Sequence, residues 1–267
     1  MSMPDDVRPT EPAEVAIPRL MERHAGRIYQ MGLHMCATPE DAEDMVQETF
    51  VRAYRNWSQF EGRSAPSTWL YTIASRVAKR QHRRRAGEPR TLGSLYQQLP
   101  SGEEGVIDVV TSDESPLAGV ERKEAEDRVH TLVGSLPLGF QLPLVLKEIA
   151  DFSIAEISEI LGLKKNTVKT RIYRARMAMR KALVEGLPKR ADLPVDTSKR
   201  VCLDLLYAKQ EALDRGVPFP LPQDQLCARC HAVFATLDLT QEVFQQLHRG
   251  QMPDSVRSAL QKLLDIE

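Results

Sequence analysis

From Ser153 to Leu183 the chain carries the pattern that most limits its fold: two short apolar-periodic runs hinged on one glycine. Ser153 to Leu163 reads as a short helix closing at Gly162, a residue suited to the left-handed conformation that ends helices. A second helix restarts at Asn166 or Thr167 and puts Val168, Ile172, Ala175, Met179 and Leu183 on one face. Ser158, four residues before the glycine, is small where two crossing helices need a close approach. A short turn, a steep crossing and a second helix turned outward make a helix-turn-helix. Its outward face carries Lys165, Lys169, Arg171, Arg174 and Arg176. Lys164 to Lys181 holds eight Lys or Arg and no acid. Such cations pair with phosphates, and arginine can also read guanine edges.

The net charge of −1 hides this concentration. A second basic stripe, Arg76 to Arg90, has seven Lys or Arg against the single acid Glu88. Solvated helix faces usually interleave both signs. Two nearly unopposed stripes are the footprint of a protein that touches a polyanion twice. With 267 residues the chain is long enough for two or three small domains. No apolar run approaches the roughly 20 residues of a membrane span, so no membrane insertion is expected. The first residues are acidic and proline-containing, without a basic and then apolar leader. The expected compartment is the cytoplasm, and residues 1–16 read as a disordered lead-in.

Residues 17–86 read as helical. Thr38 is the expected N-cap, with Pro39 at the first position and acids behind it on the positive end of the helix dipole. Ala42, Met45, Val46, Thr49, Phe50, Ala53 and Tyr54 follow at helical spacing. Ser67 to Arg85 forms a further helix burying Leu70, Ile73, Ala74 and Val77. Residues 87–120 lose periodicity and gain Gly, Pro, Ser and acids, as a linker does. Helical pattern resumes over 121–185, breaks at a second linker, 186–200, and returns in a third unit, 201–267. The expected fold is all-α.

Two runs carry a family resemblance. DAEDMVQETFVRAYRNWSQFEGRSAPSTWLYTIASRVAKRQHRRR (41–85) resembles region two of extracytoplasmic-function (ECF) sigma factors. LPLGFQLPLVLKEIADFSIAEISEILGLKKNTVKTRIYRARMAMRKAL (136–183) resembles their region four. The resemblance implies two helical sigma domains on a flexible linker, the second a helix-turn-helix, with core RNA polymerase and promoter DNA as partners. An anti-sigma factor is left open as a further partner. Asp41, Glu43, Asp44, Gln47 and Glu48 match the polymerase-docking surface, and an acidic helix beside DNA-binding ones suits a protein partner because DNA would repel it. Phe60, Arg63, Ser64 and Thr68 match the loop that captures a flipped base of the −10 element. Arg76, Lys79, Arg80 and Arg83 would track the displaced strand. Trp57 and Trp69 are read as core or as pocket walls. Lys165, Asn166, Thr167, Lys169, Thr170, Arg171 and Arg174 match the readers of the −35 element. Asn166 stands where the family often has Gly; asparagine tolerates left-handed geometry and caps helices, so only base preference is in question.

Three of the four cysteines fall in 201–267. Cys227 and Cys230 form a C-x-x-C, a spacing that grips one tetrahedral metal, while Cys36 reads as a small buried hydrophobe. The segment 202–234 resembles the zinc-binding domain of anti-sigma factors, and Cys202 matches an upstream ligand. The histidine of that pattern is replaced by Gln223. Cys202, Cys227, Cys230 and His231 are therefore the candidate ligands for zinc or another thiophilic ion, with His248 an alternative fourth. Redox switching and incidental burial stay open beside metal binding. The sequence C-x-x-C-His also spells c-type haem attachment, which belongs to exported proteins. Initiation itself calls for no cofactor. No acid–histidine cluster, phosphate-binding glycine loop or nucleophile elbow suggests an enzyme. The rival reading is a helix-turn-helix activator with a metal-sensing domain.

Overall fold

The computed structural model describes residues 7–83, 106–107, 130–184, 189–190, 199–221, 226–247 and 253–264. Helices α1 (Ala13–Met35) and α2 (Pro39–Asn56) form a hairpin. Its tight turn is set by the predicted cap: Thr38 Oγ1 accepts from the Asp41 amide at 3.1 Å, with Pro39 in the first turn. Gly32 lets the two backbones meet, since a Cβ there would lie 2.9 Å from that of Ala42. A short 3-10 turn, Trp57–Gln59, leads to α3 (Pro66–Arg83), which packs on both. Ala42, Met45, Val46, Thr49, Phe50, Ala53, Leu70, Ala74 and Val77 are buried as their periodicity requires. The expected lead-in is partly built in: α1 begins at Ala13, Val7 is buried, and the Trp57 indole donates to the Glu11 carbonyl at 2.7 Å.

The second group is α4 (Leu138–Glu148), α5 (Ile154–Leu161) and α6 (Lys165–Val184). Ser153 and Glu156 cap α5 reciprocally, and Gly162 closes it at φ 64°, ψ 36°. Ser158 does not merely make room, because its hydroxyl donates to the Leu163 carbonyl at 2.5 Å. Val168, Ile172, Ala175 and Met179 are buried beneath α6. The side chain of Leu183 lies outside the described residues.

The last group is α7 (Lys199–Arg215), α8 (Ala228–Leu247) and α9 (Asp254–Leu264). Strands β1 (Val106–Ile107) and β2 (Lys189–Arg190), from the two segments read as linkers, pair antiparallel with Val106 opposite Arg190. The all-α architecture stands, with this two-residue ladder as its one addition among the described residues.

The groups pack on one another. Helix α5 lies on α3, with the Tyr71 and Phe152 rings 4.6 Å apart. Helix α4 lies on α1, where Gln141 Nε2 donates to the His34 carbonyl at 2.9 Å and the His130 ring meets the Leu33 carbonyl. Burial, and then the neighbouring His130, hold the His34 imidazole down to about 4. Helix α8 packs on α6 and α4, and α9 touches α2.

Candidate functional site

The first group of helices holds a surface cavity of about 270 Å³ between the end of α2 and the start of α3. It is lined by Arg52, Asn56, Gln59, Trp69, Ile73 and Arg76. Arg52 and Asn56 are one turn apart on α2, and Trp69, Ile73 and Arg76 repeat at four and three on α3, so two helix edges form the walls. Trp69 is half-buried. Its ring rests on Trp57 at 5.5 Å and Phe60 at 5.3 Å, both of which belong to the core. The expected capture residues fall differently. Phe60 and Thr68 are only 6% and 3% exposed, beneath the surface rather than on it. Arg63 stands out in solvent, paired with Glu61 at 2.9 Å, and Ser64 is half-buried in the loop. Of the expected −10 residues only Arg76 lines the cavity. Arg52, Asn56, Gln59 and Ile73 were missed, although two amides and an arginine on consecutive turns at the end of α2 gave a signal.

Along α3, Arg76 is exposed and Lys79 and Arg80 are half-buried. Arg83 ends the helix, and its side chain is outside the described residues. Burial, then Arg171 and Arg76, lower the Lys79 ammonium from the ordinary lysine range. On α2, Asp44 is exposed and Asp41, Glu43 and Gln47 are half-buried. Burial, then Glu43 and Glu40, push the Tyr29 phenol up. Glu48 turns toward α3 instead, where Arg52 (2.7 Å) and Arg80 both hold it.

On α6, Lys165, Asn166 and Thr170 are exposed, and Thr167, Lys169, Arg171 and Arg174 are half-buried. Lys169 Nζ is taken by Glu211 of α7 at 2.7 Å, and this hydrogen bond and its charge lower the Glu211 carboxyl. Arg176 does not face outward as its place in the basic run suggested. Its side chain is 2% exposed, bound to Glu148 of α4 at 2.6 Å, Asp214 of α7 at 2.8 Å and Gln210 Oε1 at 3.1 Å. Burial opposes its charge, and Glu148 and Asp214 outweigh that and raise it. Position 176 follows Ile172 by one turn, so the buried stripe does include it. Arg180 is also buried, donating to Thr236 of α8 at 2.9 Å.

Cys202, at the start of α7, meets Cys227 and Cys230, at the start of α8, with the three Sγ atoms within 4.8 Å of one another. Three sulfurs about 2.3 Å from one zinc stand about 3.8 Å apart, so the trio fits an ion after closing by about an ångström. Burial, then Cys227 and Cys202, push the Cys230 thiol up. His231 is not brought into this cluster among the described residues. It follows Cys230 directly on α8, a turn of about 100° away around the helix. Gln223 and His248 lie outside the described residues.

Comparison with known proteins covers the first two groups. Residues 20–88 match the model of Sigma-70 region 2, and residues 126–179 match that of Sigma-70, region 4. ECF RNA polymerase sigma factor SigW of Bacillus subtilis (strain 168) is 32% identical over 167 residues, 61% of this chain and 87% of the relative. The RNA polymerase sigma-H factor of Pseudomonas aeruginosa is 31% identical over 166 residues, 61% of this chain and 84% of that one. The structure of CnrH in complex with the cytosolic domain of CnrY aligns with a TM-score of 0.49 and 23% identity, over 67% of this chain and 96% of that one. The chain belongs to the ECF RNA polymerase sigma factors. Its partners as a member of that family are core RNA polymerase and promoter DNA. Helices α7 to α9 lie beyond both matched regions. No described helix is long and apolar enough to cross a membrane.

Proposed function

We propose that this sigma factor is non-enzymatic, acts in the cytoplasm, opens promoters through α3 and α6, and is controlled in cis by its C-terminal helices. The observation that carries the reading is the α2–α3 cavity, with Trp69 as one wall and arginines 52 and 76 on its rim. A base leaving the duplex loses stacking, and an indole face replaces it at about 1–3 kcal/mol per base. The two guanidiniums offer donors to the base edge or its phosphate, and Asn56 and Gln59 offer both donors and acceptors. Arg76 and Lys79 continue the cationic path along α3, with Arg80 and Arg83 further on. Lys165, Asn166, Thr167, Lys169, Thr170, Arg171 and Arg174 form the −35 reading set, with the three exposed ones nearest the groove. Asp41, Glu43, Asp44 and Gln47 make the polymerase-docking face, and Glu48 braces the strand-tracking helix from behind.

In this reading residues 17–86 and 121–185 are the two sigma domains and 201–267 the control unit. Cys202, Cys227 and Cys230 would hold zinc or another thiophilic ion, which cross-links helix ends, and their thiols make the same unit sensitive to oxidation. Run-off transcription with purified core polymerase and linear promoter templates tests the core of the proposal. Initiation without any other factor is expected, and Trp69→Ala should lower strand opening by the stacking term of about 1–3 kcal/mol. A helix-turn-helix activator would give no transcript under those conditions.

A further inference from the structure

Helices α7 and α8 form a fork around α6. Gly216, at φ 64°, ends α7, and Cys202 at the start of α7 lies beside Cys227 and Cys230 at the start of α8. The two run side by side from there: Lys209 Nζ reaches the Asp238 carboxylate at 2.5 and 2.7 Å, and Phe219 meets Phe234 edge-on at 5.0 Å. From α7, Glu211 takes Lys169 and Asp214 takes Arg176, while from α8 Thr236 takes Arg180. Both prongs therefore grip α6, and Lys169 is one of its promoter-reading residues. The thiol cluster sits where the prongs begin.

We infer that α7 and α8 are a built-in inhibitor of the promoter-reading helix, and that a thiophilic cation on Cys202, Cys227 and Cys230 locks the inhibited form. The inference rests on the proposed control in cis and gives it a direction. The sulfurs converge while α6 is gripped, so the gripped state is the one a cation finds assembled, and a ligand shifts the balance toward the state it binds better. Three thiols release their protons to solvent and the thiolates share the ion, tying the start of α7 to the start of α8. With the prongs held parallel, less freedom is lost on gripping α6. Glu211 then neutralises a lysine that a promoter phosphate needs, so DNA and α7 compete for the same charge.

The test uses the full reduced chain with Zn(II) or Cd(II) alone as the probe. One ion per chain is expected to bind, and none to the C202S/C227S/C230S variant. Loading should raise hydrogen-exchange protection across α7 and the first turns of α6, and lower run-off transcription with core polymerase at least tenfold. Asp214→Ala, which loosens α7 without touching a thiol, should still bind the ion and recover most of the transcription. Unchanged protection on ion binding, equal transcription by loaded and free protein, or stimulation by the ion would each overturn the inference. A chain that never initiates, even ion-free or with all three cysteines replaced, instead refutes the initiation reading beneath it.

Discussion

Replacing Asp214 by alanine separates the two halves of a buried ionic triad. Arg176 bridges Glu148 of α4 and Asp214 of α7, with side-chain exposures of 2%, 1% and 8%. Lys147 Nζ of α4 also donates to the Asp214 main-chain carbonyl at 3.2 Å. Without Asp214 the arginine keeps Glu148, so no charge is left buried alone, and the loss is one charge-assisted hydrogen bond of about 1.5–3 kcal/mol. About 2 kcal/mol corresponds to roughly 30-fold in the opening equilibrium of α7. Arg176→Met is a different perturbation, because it leaves two buried carboxylates facing each other, at about 3–5 kcal/mol. Native-state hydrogen exchange, followed segment by segment, resolves the two. Asp214→Ala should cost protection in α7 and leave α4 nearly unchanged, whereas Arg176→Met should loosen α4, α6 and α7 together. Equal effects of both variants on every helix, or intact α7 protection after Asp214→Ala, would refute the coupling.

Other expectations follow from the geometry. Trp69→Ala should lower permanganate reactivity of the −10 strand by about five- to 150-fold, the stacking term of about 1–3 kcal/mol. Trp57→Phe should instead lower stability by about 1 kcal/mol, through loss of the bond to Glu11, with promoter opening intact. Gly32→Ala should destabilise the α1–α2 hairpin by about 1–3 kcal/mol in urea titration, since its new methyl meets Ala42 at 2.9 Å. The His34 imidazole, held near pKa 4, takes a proton in the unfolded chain below its ordinary 6.5 but in the folded chain only near 4. Unfolded protein therefore binds more protons in that window, and stability should fall by about 3 kcal/mol as pH drops from 6.5 to 4. His34→Asn should flatten that slope in thermal melts.

Periodicity and punctuation revealed the helices because each was written locally. Thr38-Pro39 and Gly162 do in the structure what their chemistry dictates, and most of the apolar stripes of α2, α3 and α6 is buried, while Tyr54 and Ile73, expected on the buried faces, are only half-buried. The site was less legible. Phe60 belongs to the loop that the family resemblance marks and Thr68 to the first turn of α3, but whether such a side chain points out or in is decided by tertiary packing, as where Phe60 meets Trp57 and Trp69. Arg176 illustrates the converse: a charge in a basic run looks solvated until partners on α4 and α7, 28 and 38 residues away, are brought to it. The Cys202–Cys227–Cys230 trio was readable from residue type. The omission of His231 needed the helical rotation that starts at Ala228.

Arg171 of α6 is among the cations that, after burial, lower the Lys79 ammonium of α3. The two helices are held together through α5, which packs on both, with the Tyr71 and Phe152 rings at 4.6 Å. Simple salt screens the repulsion between like charges on the two helices, so the packed arrangement should tighten as ionic strength rises.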